Sequence, residues 1–415
     1  MKYGRILIFL ALSVILTVGL VFAGGGTDSG RQTINLWYWD QECDPMYTTT
    51  INEFEAANPG IKVEKTLLPW ADYWTKLQTG LPTGTGPDVF WINHPNLSTY
   101  FPTGLLLDLE PAAADIHFEN FDPNYFVPFT SEGKRYGIPI TYDVIVLFYN
   151  KEMFDKAGVA YPDETWTWAD YQEAARRLTI KSGNTTIQYG CTADWGFQGG
   201  VANQIYQNGG KIFSDDKMRL VINSPESQEA VQFHLDLIHR YGYAPTPQAA
   251  SDADGLERLF MSGLSAMHIG RNSALSLFVE PMGQNVRMAP IPMQKQRASI
   301  LHSIAYVGSS KTRYPEATRK FIAFLASRRH NELISAVWEP CFNGFATTFY
   351  AQFPWIDPKV VTDAVSYSYP LPVANRNGGA VWTLMDEEMQ KIYMNPQVGD
   401  GLANYERIIN AEIAK

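Results

Sequence analysis

The sequence has few cysteines and no run of basic residues. Three cysteines occur in 415 residues, at Cys43, Cys191 and Cys341, and no two of them have the spacing of a metal site. One disulfide at most can form, the sequence does not say between which two, and buried unpaired thiols are favoured. Acidic residues outnumber lysine and arginine, 43 to 33, which gives a net charge of −10. This charge disfavours nucleic acids and anionic membranes as partners.

The sequence motifs of nucleotide binding and of common hydrolases are also missing. The loop TGTGPD, residues 83–88, looks like a phosphate cradle, but Pro87 and Asp88 stand where a Walker loop needs lysine and a hydroxyl. In GSSKT, residues 308–312, Ser310 replaces a required glycine. GxGxxG, GxSxG and HExxH do not occur. We therefore expect no cofactor, no metal and no catalytic residue. A carboxylate pair flanking a glycosidic bond stays open, because it has no local signature.

The first 23 residues have the features of a secretory signal peptide. Lys2 and Arg5 precede an uncharged apolar run, residues 6–22, and Ala23 follows with Val21 two positions before it. This pattern predicts cleavage after Ala23 and export to the periplasm or the extracellular space. An uncleaved membrane anchor is the alternative, because the apolar run approaches the length that spans a bilayer.

From residue 33 onward, strand-like segments alternate with helix-like segments. TINLWYW, IKVEKTLL and DVFWI are rich in β-branched and aromatic residues, and helix-like segments separate them. This alternation predicts an α/β fold with a mostly parallel sheet, and the length predicts two lobes. IPITYDVIVLFYN, residues 138–150, is too long for one ordinary strand, so we expect it to cross between the lobes.

Aromatic residues stand beside polar ones where the predicted strands end. Examples are WYWDQE at residues 37–42, Trp91 before Asn93, and Tyr142 before Asp143. Ligands of α/β sheets bind at the carboxyl ends of the strands. The apolar face of a sugar ring stacks on an aromatic ring, while its hydroxyls need carboxylates or amides. The mixture therefore indicates a sugar site, although each tryptophan taken alone is more often a core residue.

Several segments, in this order, resemble one known family. They are INLWYWD, FEAANPGIKVE, TGTGPDVFWIN, GKRYGIPITYDVIVLFYNKEMFDKAGV, TWTWADYQEAARRLT, INSPESQEAVQF, LFMSGLSAMHIGRNSA and GSSKTRYPEATRKFIAFLAS. The chain resembles the bacterial extracellular solute-binding proteins of ABC importers, specifically the family-1 sugar binders related to maltose-binding protein. The resemblance implies a two-lobed periplasmic-binding-protein fold of type II, with crossover hinge strands and a central cleft. It implies an N-lobe of residues 31–140 and 303–330, and a C-lobe of residues 144–300 and 331–415.

The resemblance also implies which residues meet the ligand. Asp143 occupies the crossover position where the family often places a sugar-binding carboxylate, and Trp195 lies in the family's aromatic wall. Arg271 and Asn272 replace a small-Trp pattern that is frequent in relatives. The expected substrate-binding residues are Trp39, Asp40, Gln41, Asn93, His94, Asp143, Trp195, Arg271, Asn272, Trp338 and Arg376.

The function implied by the resemblance is capture of a mono- or oligosaccharide without chemistry, and its delivery to the permease subunits of an ABC importer. The sugar and the permease are then the partners, and the protein works as a monomer. One alternative is a non-sugar solute, such as a glycerol phosphate or a peptide. Another is an exported carbohydrate-active enzyme. Few basic residues near the expected site argue against a phosphorylated ligand, and Arg271 and Arg376 keep that alternative open.

Overall fold

The computed structural model describes residues 30–183, 185–250 and 253–415. The predicted signal peptide and its cleavage point lie outside these residues. Within them, no helix has the length and apolar character needed to cross a membrane.

The strands are β1 Gln32–Tyr38, β2 Ile61–Leu67, β3 Val89–Asn93, β4 Thr130–Ser131, β5 Lys134–Arg135, β6 Gly137–Asp143, β7 Ile145–Asn150, β8 Ile180–Ser182, β9 Thr185–Gln188, β10 Met267–Arg271, β11 Val286–Ala289, β12 Ser299–Gly308 and β13 Ser368–Pro370. The α-helices are α1 Asp44–Ala57, α2 Trp70–Thr83, α3 His94–Tyr100, α4 Ala113–Ile116, α5 Lys151–Ala157, α6 Trp168–Leu178, α7 Val201–Gln207, α8 Pro225–Leu235, α9 Pro247–Ala250, α10 Ala253–Met261, α11 Leu275–Met282, α12 Pro315–Leu325, α13 Arg328–Ile334, α14 Ala346–Tyr350, α15 Lys359–Ser366, α16 Gly378–Met394 and α17 Val398–Ile413.

Local sequence explains where several of these helices begin and end. Thr167 and Asp170 form a reciprocal capping box at the start of α6. Ser224 caps α8, which has proline at its first position. Gly84 ends α2 with a left-handed φ of 70°, a conformation that costs glycine little. The TGTGPD loop is therefore the turn between α2 and β3, and β3 is buried along nearly its whole length.

Among the described residues, the N-lobe is built on a mixed six-stranded sheet. β1 lies between β2 and β3 and is parallel to both. β12 runs antiparallel to β3 on one side and to β6 on the other. The carboxyl ends of β1, β3 and β6 and the first half of β12 therefore meet at one edge of the sheet.

The C-lobe has a smaller antiparallel sheet with β7 between β10 and β11. Side chains of β7 point alternately to the two faces of this sheet. Ile145 and Leu147 pack in the C-lobe core with α6, α7 and α16, whereas Val146 and Phe148 pack with α10 and α11 in a cluster continuous with the N-lobe core. The two-lobed α/β fold predicted from the sequence is confirmed, but the expected mostly parallel sheet does not extend to the C-lobe, whose described strand pairs β10–β7 and β11–β7 are both antiparallel.

Three segments connect the lobes. The run of residues 138–150 forms β6 in the N-lobe sheet and β7 in the C-lobe sheet, with Val144 between them. β12 is the second crossing, since Ile300 packs in the C-lobe core and Val307 in the N-lobe core. The third crossing passes through β13, with Val365 in the first core and Leu371 in the second.

This third crossing makes the structure differ from the expected boundaries. The family resemblance implied that all of residues 331–415 belong to the C-lobe. In the structure α13–α15 contribute Ile334, Phe349 and Val361 to the core of the N-lobe, and the described residues of this range that lie in the C-lobe core begin at Leu371. The short strand β13, three residues long, carries no sequence signal strong enough to mark the return.

The cysteines follow the expectation of buried, unpaired thiols. Cys43 and Cys341 lie in the N-lobe core and Cys191 lies in the C-lobe core, and all three are free. Burial raises the pKa of the Cys191 thiol to about 12, which keeps it protonated and unreactive at neutral pH.

Candidate functional site

A cleft of about 470 Å³ lies where the crossover segments meet the two lobes. The N-lobe contributes residues that follow β1 and β3, the crossovers contribute Thr141, Asp143 and His302, and the C-lobe contributes residues near the starts of α7, α11 and α16. This volume is within the range of ordinary small-molecule sites.

Tryptophans form the N-lobe wall of the cleft. Trp39 packs edge-on against Trp70 and Trp91, with ring centroids 5.1 and 4.9 Å apart, and Trp338 lies 5.6 Å from Trp91. Trp91 is fully buried, and its indole Nε1 donates a hydrogen bond of 2.7 Å to the Tyr47 hydroxyl. Trp39, Trp70 and Trp338 line the cleft, and Trp70 is 51% exposed. The buried indole of Trp91 thus supports the wall, and the rings of Trp39, Trp70 and Trp338 are left to contact a ligand.

The C-lobe wall has both an apolar and a polar part. Trp382 on α16 faces the cleft and contacts Phe197 at 6.5 Å between centroids. Leu277 of α11 also lines the cleft and is 46% exposed. Gln198 places its amide Nε2 3.4 Å from a carboxylate oxygen of Asp143. Aromatic surface therefore faces the cleft from both lobes.

The Asp143 carboxylate lies in the crossover, at the centre of the cleft. Asp143 pairs with His302 across β6 and β12, and its Oδ2 is 3.9 Å from His302 Nδ1. Its other oxygen, Oδ1, is buried without a partner in the described chain. Burial opposes ionisation, but the ring of His302 and the charge of Arg271 outweigh it, so the pKa of Asp143 lies below its ordinary value. The structure thus holds an ionised carboxylate at the cleft, with one oxygen that no group of the described chain satisfies.

Two further carboxylates lie after β1. Asp40 caps a short 3₁₀ turn by accepting from the Glu42 N–H at 3.3 Å, and both residues line the cleft. Burial raises the pKa of Asp40, and burial together with the charge of Asp40 raises the pKa of Glu42. On the opposite side Arg271 contacts Glu257 Oε1 at 3.2 Å while lining the cleft. The cleft therefore carries more negative than positive groups.

Comparison with known proteins identifies the family. A model of bacterial extracellular solute-binding proteins matches residues 49–338, which is more than half of the chain. The chain belongs to this family. The resemblance inferred from its sequence segments is confirmed.

This solute-binding protein is similar to several curated proteins. It is 23% identical to an arabinooligosaccharide-binding protein of Bacillus subtilis over 334 residues, which cover 76% of this chain and 75% of that protein. It is 23% identical to a mannitol-binding protein of Pseudomonas aeruginosa over 68% of this chain and 66% of that protein. Matches to curated Brucella abortus proteins are shorter, at 27% identity over 36% of each chain.

Solved structures share its fold. An ABC substrate-binding protein from Listeria monocytogenes, in complex with cycloalternan, superposes with a TM-score of 0.81 at 25% identity, covering 92% of this chain and 99% of that one. A maltose-bound protein of T. maritima superposes with a TM-score of 0.76 at 20% identity, covering 91% and 98%.

The structure of this solute-binding protein brings six of the eleven expected site residues to the cleft. They are Trp39, Asp40, Asn93, Asp143, Arg271 and Trp338. Asn93 also has a structural role, because its side-chain oxygen accepts from the Asn96 N–H at 3.2 Å and caps α3. Their contact with ligand stays a prediction.

The other five residues do not line the cleft. Gln41 is exposed beside it, while His94 and Trp195 are buried at 6% and 5% exposure. Burial, with the charge of nearby Lys217, lowers the pKa of His94 to about 3, so its ring is neutral. Arg376 is exposed and donates to the Lys415 carbonyl at 2.7 Å.

Asn272 is also outside the cleft lining and holds the crossover. Its side-chain oxygen accepts from the Val144 N–H at 2.8 Å, and its own N–H donates to the Val144 carbonyl at 3.0 Å. The Ser299 hydroxyl accepts from the Ile145 N–H at 2.7 Å in the same way. These bonds fix the backbone where the chain passes between the lobes.

The expected set does not include several residues that line the cleft. Trp70 follows β2 closely, so the strand-end rule that found Trp39 could have found it. Gln198 and His302 also line the cleft, from a loop and from an antiparallel strand. Trp382 lies within α16. A single tryptophan in a helix-like segment is normally interpreted as a core residue, so the sequence gives no signal that Trp382 lines the cleft.

Proposed function

We propose that this protein captures a sugar, as a mono- or oligosaccharide, in the cleft and delivers it to the membrane permease of an ABC importer. The observation that carries the proposal is aromatic surface on both walls, Trp39, Trp70 and Trp338 facing Trp382, with carboxylates between them. Stacked rings recognise the apolar faces of a sugar, and the Asp143 carboxylate accepts from its hydroxyls. Export by the predicted signal peptide places this activity in the periplasm or outside the cell.

The relatives support a carbohydrate or polyol ligand. The Bacillus and Pseudomonas relatives are named for arabinooligosaccharides and mannitol, and the solved structures hold cycloalternan and maltose. Each ligand is neutral and rich in hydroxyls. The cleft of this protein is matched to that chemistry, because its carboxylates repel anions such as a glycerol phosphate.

The mechanism is closure of the lobes over the ligand. A ligand that touches Trp39 from one lobe and Trp382 from the other stabilises the closed state more than the open state. The crossovers form the hinge, and Asn272 holds Val144 at the point where the chain changes sheets. Closure presents both lobes together to the permease. The protein acts as a monomer without catalysis, and ATP hydrolysis belongs to another chain.

Isothermal titration calorimetry of the mature protein tests the proposal. Maltotriose, arabinotriose, cycloalternan and mannitol form one set, and glycerol 3-phosphate, a tripeptide and an amino acid form the other. We expect saturable heat from at least one member of the first set and none from the second. Binding of only the second set would overturn the sugar assignment.

Product analysis separates binding from catalysis. The protein is incubated with the oligosaccharide that it binds, and the mixture is analysed by mass spectrometry. We expect the sugar to be recovered intact. Release of shorter products, lost on replacement of Asp40 or Glu42 by the amide, would instead indicate a carbohydrate-active enzyme.

A further inference from the structure

A cavity of about 380 Å³ lies at the edge of the N-lobe sheet opposite the sugar cleft. Its lining comes from the start of β1, from residues 84–88 before β3, and from residues 309–314 after β12. We call it the basic cavity, after Arg31, Lys311 and Arg313 in its lining. β1 has seven residues, so about 20 Å of strand separates this cavity from the cleft.

The basic cavity is lined by two loops, neither of which has the complete sequence of a phosphate-binding motif. TGTGPD lies before β3 and GSSKT ends β12, and the antiparallel pairing of these strands places the loops side by side. The Ser309 N–H donates to the Asp88 carbonyl at 2.9 Å, and the Thr312 hydroxyl donates to the Asp88 carboxylate at 2.5 Å. A Cβ atom built on Gly84 would lie 3.7 Å from Lys311 Cβ. The loops are therefore held together before any ligand arrives.

The charges of the basic cavity favour an anion. Arg31, Lys311 and Arg313 line the cavity with the single carboxylate of Asp88, and one net positive charge remains when Glu55, the partner of Arg31, is also counted. Arg31 is anchored by Glu55 at 2.7 Å. Lys311 and Arg313 are exposed and form no ion pair with any residue in the described part of the chain. Two cations thus remain available to a ligand.

Both oxygens of the Asp88 carboxylate accept hydrogen bonds from within the protein. Its Oδ2 accepts from the Asn35 N–H at 2.8 Å, and its Oδ1 accepts from the Thr312 hydroxyl. Asp88 therefore acts as the tie between β1 and the 309–312 loop. Around it the lining offers donors, among them the hydroxyls of Thr33 and Tyr314. Lysine, arginine and hydroxyl donors together match the several acceptor oxygens of a tetrahedral oxyanion.

We propose that the basic cavity binds a phosphate-type oxyanion, either free phosphate or the head group of a phospholipid. The site is independent of the sugar cleft, because the two share no residue and lie at opposite edges of the sheet. The double variant Lys311→Gln/Arg313→Gln removes its free cations. Lys76→Gln/Arg407→Gln is the matched control, since it removes one exposed lysine and one exposed arginine elsewhere.

Thermal unfolding of the mature protein measures binding of inorganic phosphate, with sodium chloride at equal ionic strength as the reference. Phosphate should raise the melting temperature of the wild type and of the control variant in a saturable way. The Lys311→Gln/Arg313→Gln variant should need about tenfold more phosphate, or more, for the same shift, because two charge-assisted hydrogen bonds are lost. Its sugar affinity should equal that of the wild type.

Co-flotation with vesicles distinguishes the two sources of phosphate. Vesicles of phosphatidylglycerol are compared with vesicles of phosphatidylcholine at the same salt concentration. A phosphate response without vesicle binding assigns the cavity to free phosphate, and binding to phosphatidylglycerol that the cavity variant loses assigns it to a lipid head group. A response to neither, or a response that the cavity variant retains in full, overturns the proposal.

Discussion

Glu339 provides the sharpest quantitative test of the structure. It follows Trp338 beneath the cleft, is 3% exposed, and accepts a hydrogen bond from the Tyr142 hydroxyl. Burial raises the pKa of its carboxyl from 4.5 to about 7, against the opposing effect of the hydrogen bond from Tyr142. Replacement of Glu339 by glutamine keeps the size and the acceptor oxygen but removes the titration.

The sign and size of the effect follow from linkage. Below the unfolded pKa the carboxyl is protonated in both states and contributes no pH dependence. Between the unfolded pKa and the folded value of about 7, the folded protein keeps a proton that the unfolded chain has lost, so stability falls as pH rises. One pKa unit corresponds to about 1.4 kcal/mol, so the full difference is about 3 kcal/mol. Glu339→Gln should therefore match the wild type near pH 4.5 and exceed its unfolding free energy by about 3 kcal/mol near pH 8.

Urea denaturation followed by tryptophan fluorescence across this pH range measures the effect. The neighbouring Asp143 has a lowered pKa and stays ionised, and the Cys341 thiol has a strongly raised pKa and stays neutral, so neither should titrate in the window. The control is Glu387→Gln, an exposed site on α16. It should show no such trend. A stability difference for Glu339→Gln that does not grow with pH would refute the assigned burial.

Three further predictions concern the cleft and the contact between the lobes. Asp143→Asn should weaken sugar binding by about 10- to 100-fold in calorimetry, because a charged acceptor is lost, and unchanged affinity would remove Asp143 from the site. Trp382→Ala should weaken sugar binding by about tenfold, whereas Trp195→Phe, which does not reach the cleft, should leave it unchanged; equal losses would contradict the placement of these rings. Gly378→Ala places a Cβ 2.2 Å from Ser98 Oγ where α3 meets α16, so the unfolding free energy should fall by about 1–3 kcal/mol and recover in part in the double variant with Ser98→Ala. No recovery would mean that the strain lies elsewhere.

The strand-end pattern predicted part of the cleft from local sequence. Trp39 and Asp40 follow β1 and Asn93 ends β3, and the carboxyl ends of parallel strands meet at one edge of a sheet. The family resemblance implied contacts for both Asp143 and Trp195, but Asp143 lines the cleft whereas the ring of Trp195 is buried in the C-lobe. Strand periodicity gives the face on which a side chain lies, but the depth of that side chain depends on what packs over it.

Residues from antiparallel strands and helices could not be predicted in this way. His302 reaches the cleft because β12 runs antiparallel beside β6, a pairing between segments more than 150 residues apart. The hydrogen bond between the Asn272 side chain and the Val144 N–H could not be predicted either, because the position of Val144 depends on the path of the crossover.

Patterns along the chain were enough to predict the α/β class, the crossing of residues 138–150 and the family, all of which are confirmed, and they predict an export signal. These depend on periodicity, on local turn chemistry and on segments in a fixed order, all of which are short-range. The lobe that α13–α15 join and the aromatic rings that face the cleft depend instead on long-range packing. That packing alone placed TGTGPD beside GSSKT, because the antiparallel pairing of β3 with β12 joins loops that are more than 200 residues apart. Contacts of such separation follow from packing of the whole chain, and no local pattern encodes them.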